Sequence, residues 1–274
     1  MKRSKKSKRL LAGVIILIAF ILFYVVSFNS PLVTRHYNVT TSEDVSIRIA
    51  LITDLHSCNY GEEQNVLIEN IAKENPDILL MGGDIVDDGL PIAKAEEFIK
   101  AVSAQYPCYY VSGNHEYWSG KIDYIKQLIK SYGVIILEGD CETIDVNRSK
   151  INICGIDDPE VGEDEFYKQL KNCSVSSTNN YYKILLTHRP ELIDNYLEYD
   201  FDLVLAGHSH GGQWRIPGII NGVYAPDQGW FPKYAGGLYR LENTDFIVSR
   251  GLSRESTILP RIFNPPELVI VDIN

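Results

Sequence analysis

Residues 203–213, LVLAGHSHGGQ, admit two readings that lead to different folds. Gly207, Ser209 and Gly211 spell G-x-S-x-G, the turn that exposes the nucleophile of α/β serine hydrolases. His208 and His210 stand two apart, and in extended chain such residues share a face, as a pair of metal ligands would. The hydrolase reading needs a helix after the serine, then an acid and a histidine later in the chain. After Ser209 the chain runs HGGQWRIPGIINGVY, where Gly211, Gly212, Pro217 and Gly218 oppose a helix. His210 is the last of six histidines, so no later general base exists. The elbow survives only if His56, His115 or His188 folds back in some unrelated arrangement. Ser209 is read as a spacer.

Outward from this stretch, short β-branched apolar runs end at Thr53, Gly82, Ser112, Thr187 and Ala206. Near-continuous runs of that kind suit strands buried on both faces. Amphipathic segments at 62–75, 92–105 and 121–132 alternate with them, closed by Pro76 or Gly133 where a breaker follows. The βαβα order implies a sheet that is at least partly parallel. After residue 133, strand signals crowd together (GVIIL, INICGI, GLYRL, DFIVSR, ELVIVDI), which predicts a second sheet in the same domain.

The polar residues fall at the ends of these runs. Asp54 and His56 follow the first, Asp84 and Asp87 the second, Asn114 and His115 the third, His188 the fourth, His208 and His210 the fifth. Five of six histidines thus lie at the edge where open α/β sheets place ligands. Singly each is ordinary: Asp54 or Asp84 can cap a helix, Asn114 suits a turn, and a lone histidine is usually a hydrogen-bonded loop residue. Packing does not require all five strand ends to carry them. Asp54, His56, Asp84, Asn114, His188, His208 and His210 are too many ligands for one tetrahedral ion and suit two ions sharing a carboxylate. Mixed imidazole and carboxylate favour manganese, iron, zinc or nickel.

TDLH (53–56), GGDIVDD (82–88), GNHE (113–116), LLTHRP (185–190) and GHSHGGQ (207–213), in that order, resemble the signature blocks of calcineurin-like metallophosphoesterases. The resemblance runs from about residue 46 to the end, including the PRIFNPPELVIVDI tail, and is closest to a bacterial membrane-anchored branch. It implies an αββα sandwich of two mixed sheets flanked by helices. It places Asp54, His56, Asp84 and His210 on one metal and Asp84, Asn114, His188 and His208 on the other, with Asp84 bridging. Two such cations create a hydroxide at neutral pH and offset charge on the phosphoryl oxygens. His115, beside Asn114, is the expected proton donor to the leaving group, and the resemblance has Asp54 orient it. Asp87 is read as a turn residue, and Asp157 and Asp158 as turn residues or substrate contacts. Trp214, Tyr224, Trp230, Phe231, Tyr234 and Tyr239 either pack a long loop or form a rim for an apolar, lipid-linked substrate.

The N-terminus is separate in character. Residues 1–9 hold six basic side chains, and residues 10–28 carry no charge. Nineteen helical residues span a ~30 Å hydrocarbon core. The poor small-x-small site in VVSFNSP favours an uncleaved anchor over a cleaved signal. The basic flank stays cytoplasmic, so the chain divides into a basic segment (1–9), a single-pass anchor (10–28), a linker (29–45) and an extracytoplasmic catalytic domain (46–274). Net charge is −10 overall; without the six basic residues, 20 Lys and Arg face 36 Asp and Glu. Such a domain is a poor counterion for nucleic acid. The five cysteines show no framework, and Cys108 and Cys154 read as core residues.

The expected function is hydrolysis of a phosphoester substrate. A phosphodiesterase or pyrophosphatase acting on lipid-linked or nucleotide-sugar compounds is the nearest alternative. A metal-stabilised scaffold is disfavoured, because His115 would then have no purpose.

Overall fold

The computed structural model describes residues 12–18, 20–21, 31–43, 45–176, 181–254 and 260–274. The first half builds strands β1 (Val33–Val39), β2 (Ile47–Ile52), β3 (Ile78–Gly82), β4 (Cys108–Val111) and β5 (Ile135–Ile136). Helices α1 (Asn65–Glu74), α2 (Ala93–Ser103), α3 (Asn114–Trp118) and α4 (Ile122–Ser131) lie between them. The second half adds β6 (Asp140–Val146), β7 (Ser149–Gly155), α5 (Glu163–Ser176), β8 (Tyr182–Leu186), α6 (Ile193–Tyr196) and β9 (Leu203–Ala206). A small hairpin of β10 (Tyr224–Ala225) and β11 (Gly229–Trp230) precedes β12 (Gly237–Leu241), β13 (Thr244–Val248) and β14 (Glu267–Ile273).

Two six-stranded sheets result, ordered β1-β14-β2-β3-β4-β5 and β12-β13-β9-β8-β7-β6. Both are mixed: β2, β3, β4 and β5 are parallel but β14 opposes β2, and β7, β8 and β9 are parallel but β6 opposes β7. Period-two alternation explains why the strands read as continuous apolar runs. Ile49 and Leu51 face inward to meet Ile153, Ile184, Leu186 and Leu205 of the other sheet. Their neighbours Ala50 and Ile52 face outward onto Leu67 and Ile71 of α1 and Phe98 and Ile99 of α2. The outer face of the second sheet is covered by Phe166 and Leu170 of α5 and Ile193 and Tyr196 of α6. Each fully buried Leu, Ile or Phe contributes about 1.5–3 kcal/mol. The layers are helix, sheet, sheet, helix, as the resemblance implied.

Several expectations change. The segment 29–45, expected as a linker, contains β1, which pairs in parallel with β14 from Val33 opposite Glu267 to Val39 opposite Ile273. Its sequence, VTRHYNV, exposes Arg35 and His36, so it reads as polar chain. ELVIVDI and GVIIL, assigned to the second sheet, belong to the first as β14 and β5. Cys154 is not a lone core thiol: antiparallel β6 and β7 set it opposite Cys141, and the two form a disulfide. Cys108 is buried and free, as expected. Of the expected anchor, residues 12–18 and 20–21 are helical; the rest of 10–28 and segment 1–9 lie outside the described residues. Among the described residues no helix is long and apolar enough to cross a membrane.

Candidate metal centre

All seven expected ligands stand at one edge of the sandwich, beyond the carboxyl ends of β2, β3, β4, β8 and β9, with Asn114 opening α3. None is more than 5% exposed. Side-chain ligand atoms of Asp54, His56, Asp84 and His210 lie within 4.8 Å of one another, and so do those of Asp84, His188 and His208. Asp84 belongs to both groups.

Backbone hydrogen bonds stitch these loops together. Asp54 N–H donates to Gly83 O at 3.0 Å, and His56 N–H to Asp84 O at 2.9 Å. Across the sheets, His208 N–H donates to Asp54 Oδ1 at 2.9 Å, and within the first sheet His115 N–H donates to Asp84 Oδ1 at 2.9 Å. The close approach demands small residues. A Cβ on Gly113 would stand 2.3 Å from Asp84 Oδ1, and one on Gly207 2.7 Å from Asp54 Oδ2.

One nitrogen of each imidazole is tied to the scaffold and the other turns inward. His56 Nδ1 meets Asp87 Oδ2 at 2.9 Å, leaving Nε2 toward Asp84. His188 Nδ1 donates to Gly82 O at 2.8 Å, with Nε2 3.1 Å from Asp84 Oδ2. His210 Nδ1 meets Ser253 Oγ at 2.8 Å. His208 is held the other way round: Nε2 meets Asp227 Oδ2 at 2.8 Å, and Nδ1 faces His188 Nε2 at 3.2 Å. Such outer partners fix ring orientation in metal sites.

Two observations test whether cations fit. Asp54 Oδ2, His56 Nε2, Asp84 Oδ2 and Asn114 Oδ1 are buried with no hydrogen-bond partner. Leaving such atoms unpaired costs about 1–3 kcal/mol each, and all four belong to expected ligands. Five of the seven ligands also hold left-handed backbone: Asp54 (φ 52°), His56 (48°), Asp84 (52°), His208 (64°) and His210 (47°). Non-glycine residues pay for that conformation, and such outliers cluster at functional sites. The donor set, with inward lone pairs and stored strain, fits two cations.

Burial and close approach also shift the titration of these groups. Burial alone would lower His188, but Asp84 beside it carries it up to about 10. Asp84 goes well below the carboxylate range: burial opposes the fall, and His188 and His56 outweigh burial. His210 is depressed by burial, with His56 and Arg261 adding to the fall.

The remaining residues sort differently. His115 is partly exposed, and its Nδ1 lies 2.6 Å from Asp88 Oδ1. Asp54 accepts from His208 instead, and the carboxylate that meets His115 is Asp88, the last residue of GGDIVDD. Asp87 closes its turn as expected, accepting from Gly89 N and Leu90 N, and also braces His56. Asp157 is taken up by Ser112, Lys126 and Gln169, and Asp158 by Arg189, so both are structural. Ser209 Oγ donates to Ala235 O at 2.8 Å, as befits a spacer.

Glu116 was missed. Fully buried, it accepts from the backbone N–H groups of Asp84, Ile85, Val86 and Gly113 at 2.7–3.0 Å, pinning the loop that carries Asp84. Burial, then Asp84, pushes it up to about 7. Its signal was an acid three residues after the Gly113 helix cap. Ser253 and Asp227, which brace His210 and His208, carry no comparable sequence signal.

A family model described as calcineurin-like phosphoesterase matches residues 47–212. Among relatives, the uncharacterized metallophosphoesterase YkoQ of Bacillus subtilis is 30% identical over 235 residues, covering 83% of each chain. The uncharacterized protein YpbG of the same organism is 29% identical over 229 residues, covering 83% of this chain and 81% of its own. The NAD nucleotidase NadN of Haemophilus influenzae shares the fold at TM-score 0.52 and 17% identity, over 76% of this chain. This chain spans 45% of that structure.

Proposed function

The chain belongs to the calcineurin-like phosphoesterase family and is a hydrolase of phosphoric esters, and on that premise we propose that it works with two divalent cations. Asp54, His56, Asp84 and His210 would hold one, and Asp84, Asn114, His188 and His208 the other. When bound, the pair supplies an activated water and offsets charge on the phosphoryl oxygens. The chain's own residues do the rest. Asp87, Gly82 O, Ser253 and Asp227 hold the four imidazoles so that their free nitrogens converge. Glu116 fixes the loop of Asp84. Asp88 holds His115 by Nδ1, leaving Nε2 to pass a proton to the departing oxygen.

The observation that carries this reading is the set of four buried ligand atoms, on Asp54, His56, Asp84 and Asn114, that make no hydrogen bond. The test is hydrolysis of a phosphomonoester and a phosphodiester by the full chain, with and without chelator. Turnover that is lost on chelation and restored by manganese or zinc is expected; turnover indifferent to chelator refutes the cations.

The catalytic domain belongs, in this reading, on the outer side of a cytoplasmic membrane, tethered by residues 10–28. Support comes from the six basic residues ahead of an uncharged run. The Cys141–Cys154 disulfide adds support for an oxidising compartment. A lipid-linked phosphoester is the substrate class such a tether favours.

A further inference from the structure

The aromatic residues between 214 and 239 divide into two sets. Tyr234 and Tyr239 pack on Phe246, with ring centroids 5.3 and 6.0 Å away. Trp214, Ile216, Ile219, Tyr224, Trp230 and Phe231 stay at the surface, Trp230 71% and Ile219 80% exposed. Scattered apolar residues need no explanation, but a contiguous set marks an interaction site. Gly212, Gln213, Trp214, Val223, Tyr224 and Trp230 enclose a cavity of about 350 Å³. Gln213 Oε1 is buried there without a hydrogen-bond partner. The cavity borders the metal edge: Gly212 lies two residues after His210, and the tip of the β10–β11 hairpin sets Asp227 on His208.

The path of the chain says what covers this face. Val33, at the start of β1, donates to Pro266 O at 3.0 Å and pairs with Glu267. Because β14 opposes β2, with Val269 beside Leu51, β1 begins at the sheet edge that carries Asp54 and His56. The segment before β14 also bridges to the aromatic face, through Ile262 opposite Trp214 and Pro260 O accepting from Trp214 Nε1 at 3.0 Å. Between Phe28, where the uncharged run ends, and Val33 the chain reaches at most about 18 Å. A bilayer holding that run therefore lies within about that distance of this edge. Charge agrees. In residues 209–239 of this acidic chain the single acid is Asp227, taken up by His208 and Arg189, against the basic Arg215 and Lys233.

We propose that this face is a bilayer-docking surface. The apolar side chains of residues 214–231 enter the membrane interface, a lipid acyl chain occupies the cavity beside Gly212, and the metal edge opens at the membrane surface. Aromatic rings are at home at that depth. The proposal rests on the anchored phosphoesterase reading above.

The test uses the full chain in vesicles of phosphatidylcholine and phosphatidylglycerol. Its three tryptophans include none in residues 10–28, so Trp118→Phe leaves emission from Trp214 and Trp230 alone. Lipids brominated on the acyl chain should cut that emission roughly two-fold, as for rings buried at the acyl boundary. A polarity-sensitive fluorophore on Ile219→Cys, at an exposed loop tip, gives a second reading and should shift to the blue in vesicles. Emission indifferent to bromine, with an unshifted label, overturns the docking face. A chain that does not float with the vesicles overturns docking and anchor together. Hydrolysis of a soluble monoester and a soluble diester by the same preparation separates the two readings: activity without quenching removes only the docking face, and quenching without activity on either removes only the two-cation mechanism.

Discussion

In the middle of β2, Ala50 and Leu51 lie in regular strand, each facing one apolar core, with no side-chain polar atom to satisfy. Three and five residues past Leu51, Asp54 and His56 are as deeply buried, yet their backbones are left-handed and each has a polar atom without a hydrogen bond. The backbone contrast repeats along β3, where Leu80 is followed by Asp84, and along β9, where Leu205 is followed by His208. One strand thus performs two tasks a few residues apart. Its centre supplies stability, and its end spends some of it on geometry that only a ligand rewards. The two regions should answer differently to substitution.

Asp84→Ala should have the largest effect, because it removes the one carboxylate shared by both ligand groups. Hydrolysis is expected to fall below detection and bound metal to drop, read by turnover and elemental analysis; retention of both would erase the distinction between edge and core. His115→Ala should lower turnover about 10²–10⁴-fold with metal content held, if it is the proposed proton donor and not a ligand. If metal falls in step, His115 belongs among the ligands. Ser253→Ala frees Nδ1 of His210 and should weaken metal affinity by about 10–100-fold, measured by competition with a chelating dye. Leu51→Ala, from the strand centre, should cost about 2–5 kcal/mol of stability in denaturant unfolding. Turnover and metal affinity of the folded protein should stay unchanged; a loss of metal there would mean that core and edge are not separable.

The same contrast governs what could be read from sequence. β2, β3, β4, β8 and β9 were legible because they are buried on both faces and so stay apolar throughout. Their ends were legible because Asp, Asn and His stand out against such runs. β1 and β6 escaped because VTRHYNV and DCETIDV leave much of their length to solvent, and with β6 went the pairing of Cys141 and Cys154. α5 escaped for a related reason: EDEFYKQLKNCSVS buries only a narrow stripe, with Phe166, Leu170 and Cys173 in the core. β5 and β14 were recognised as strands, but sheet membership depends on long-range pairing that apolarity does not encode. At the site, the candidate ligands were visible and most of their supports were not. Asp88, Ser253 and Asp227 are ordinary polar loop residues until the fold sets them against an imidazole.

The central claim is that seven side chains from five strand ends enclose a pair of cations. Elemental analysis of the full chain, purified with manganese or zinc supplied, counts them directly. The account predicts two metal equivalents per chain; a count of one or none, in protein that still hydrolyses phosphoesters, would contradict it.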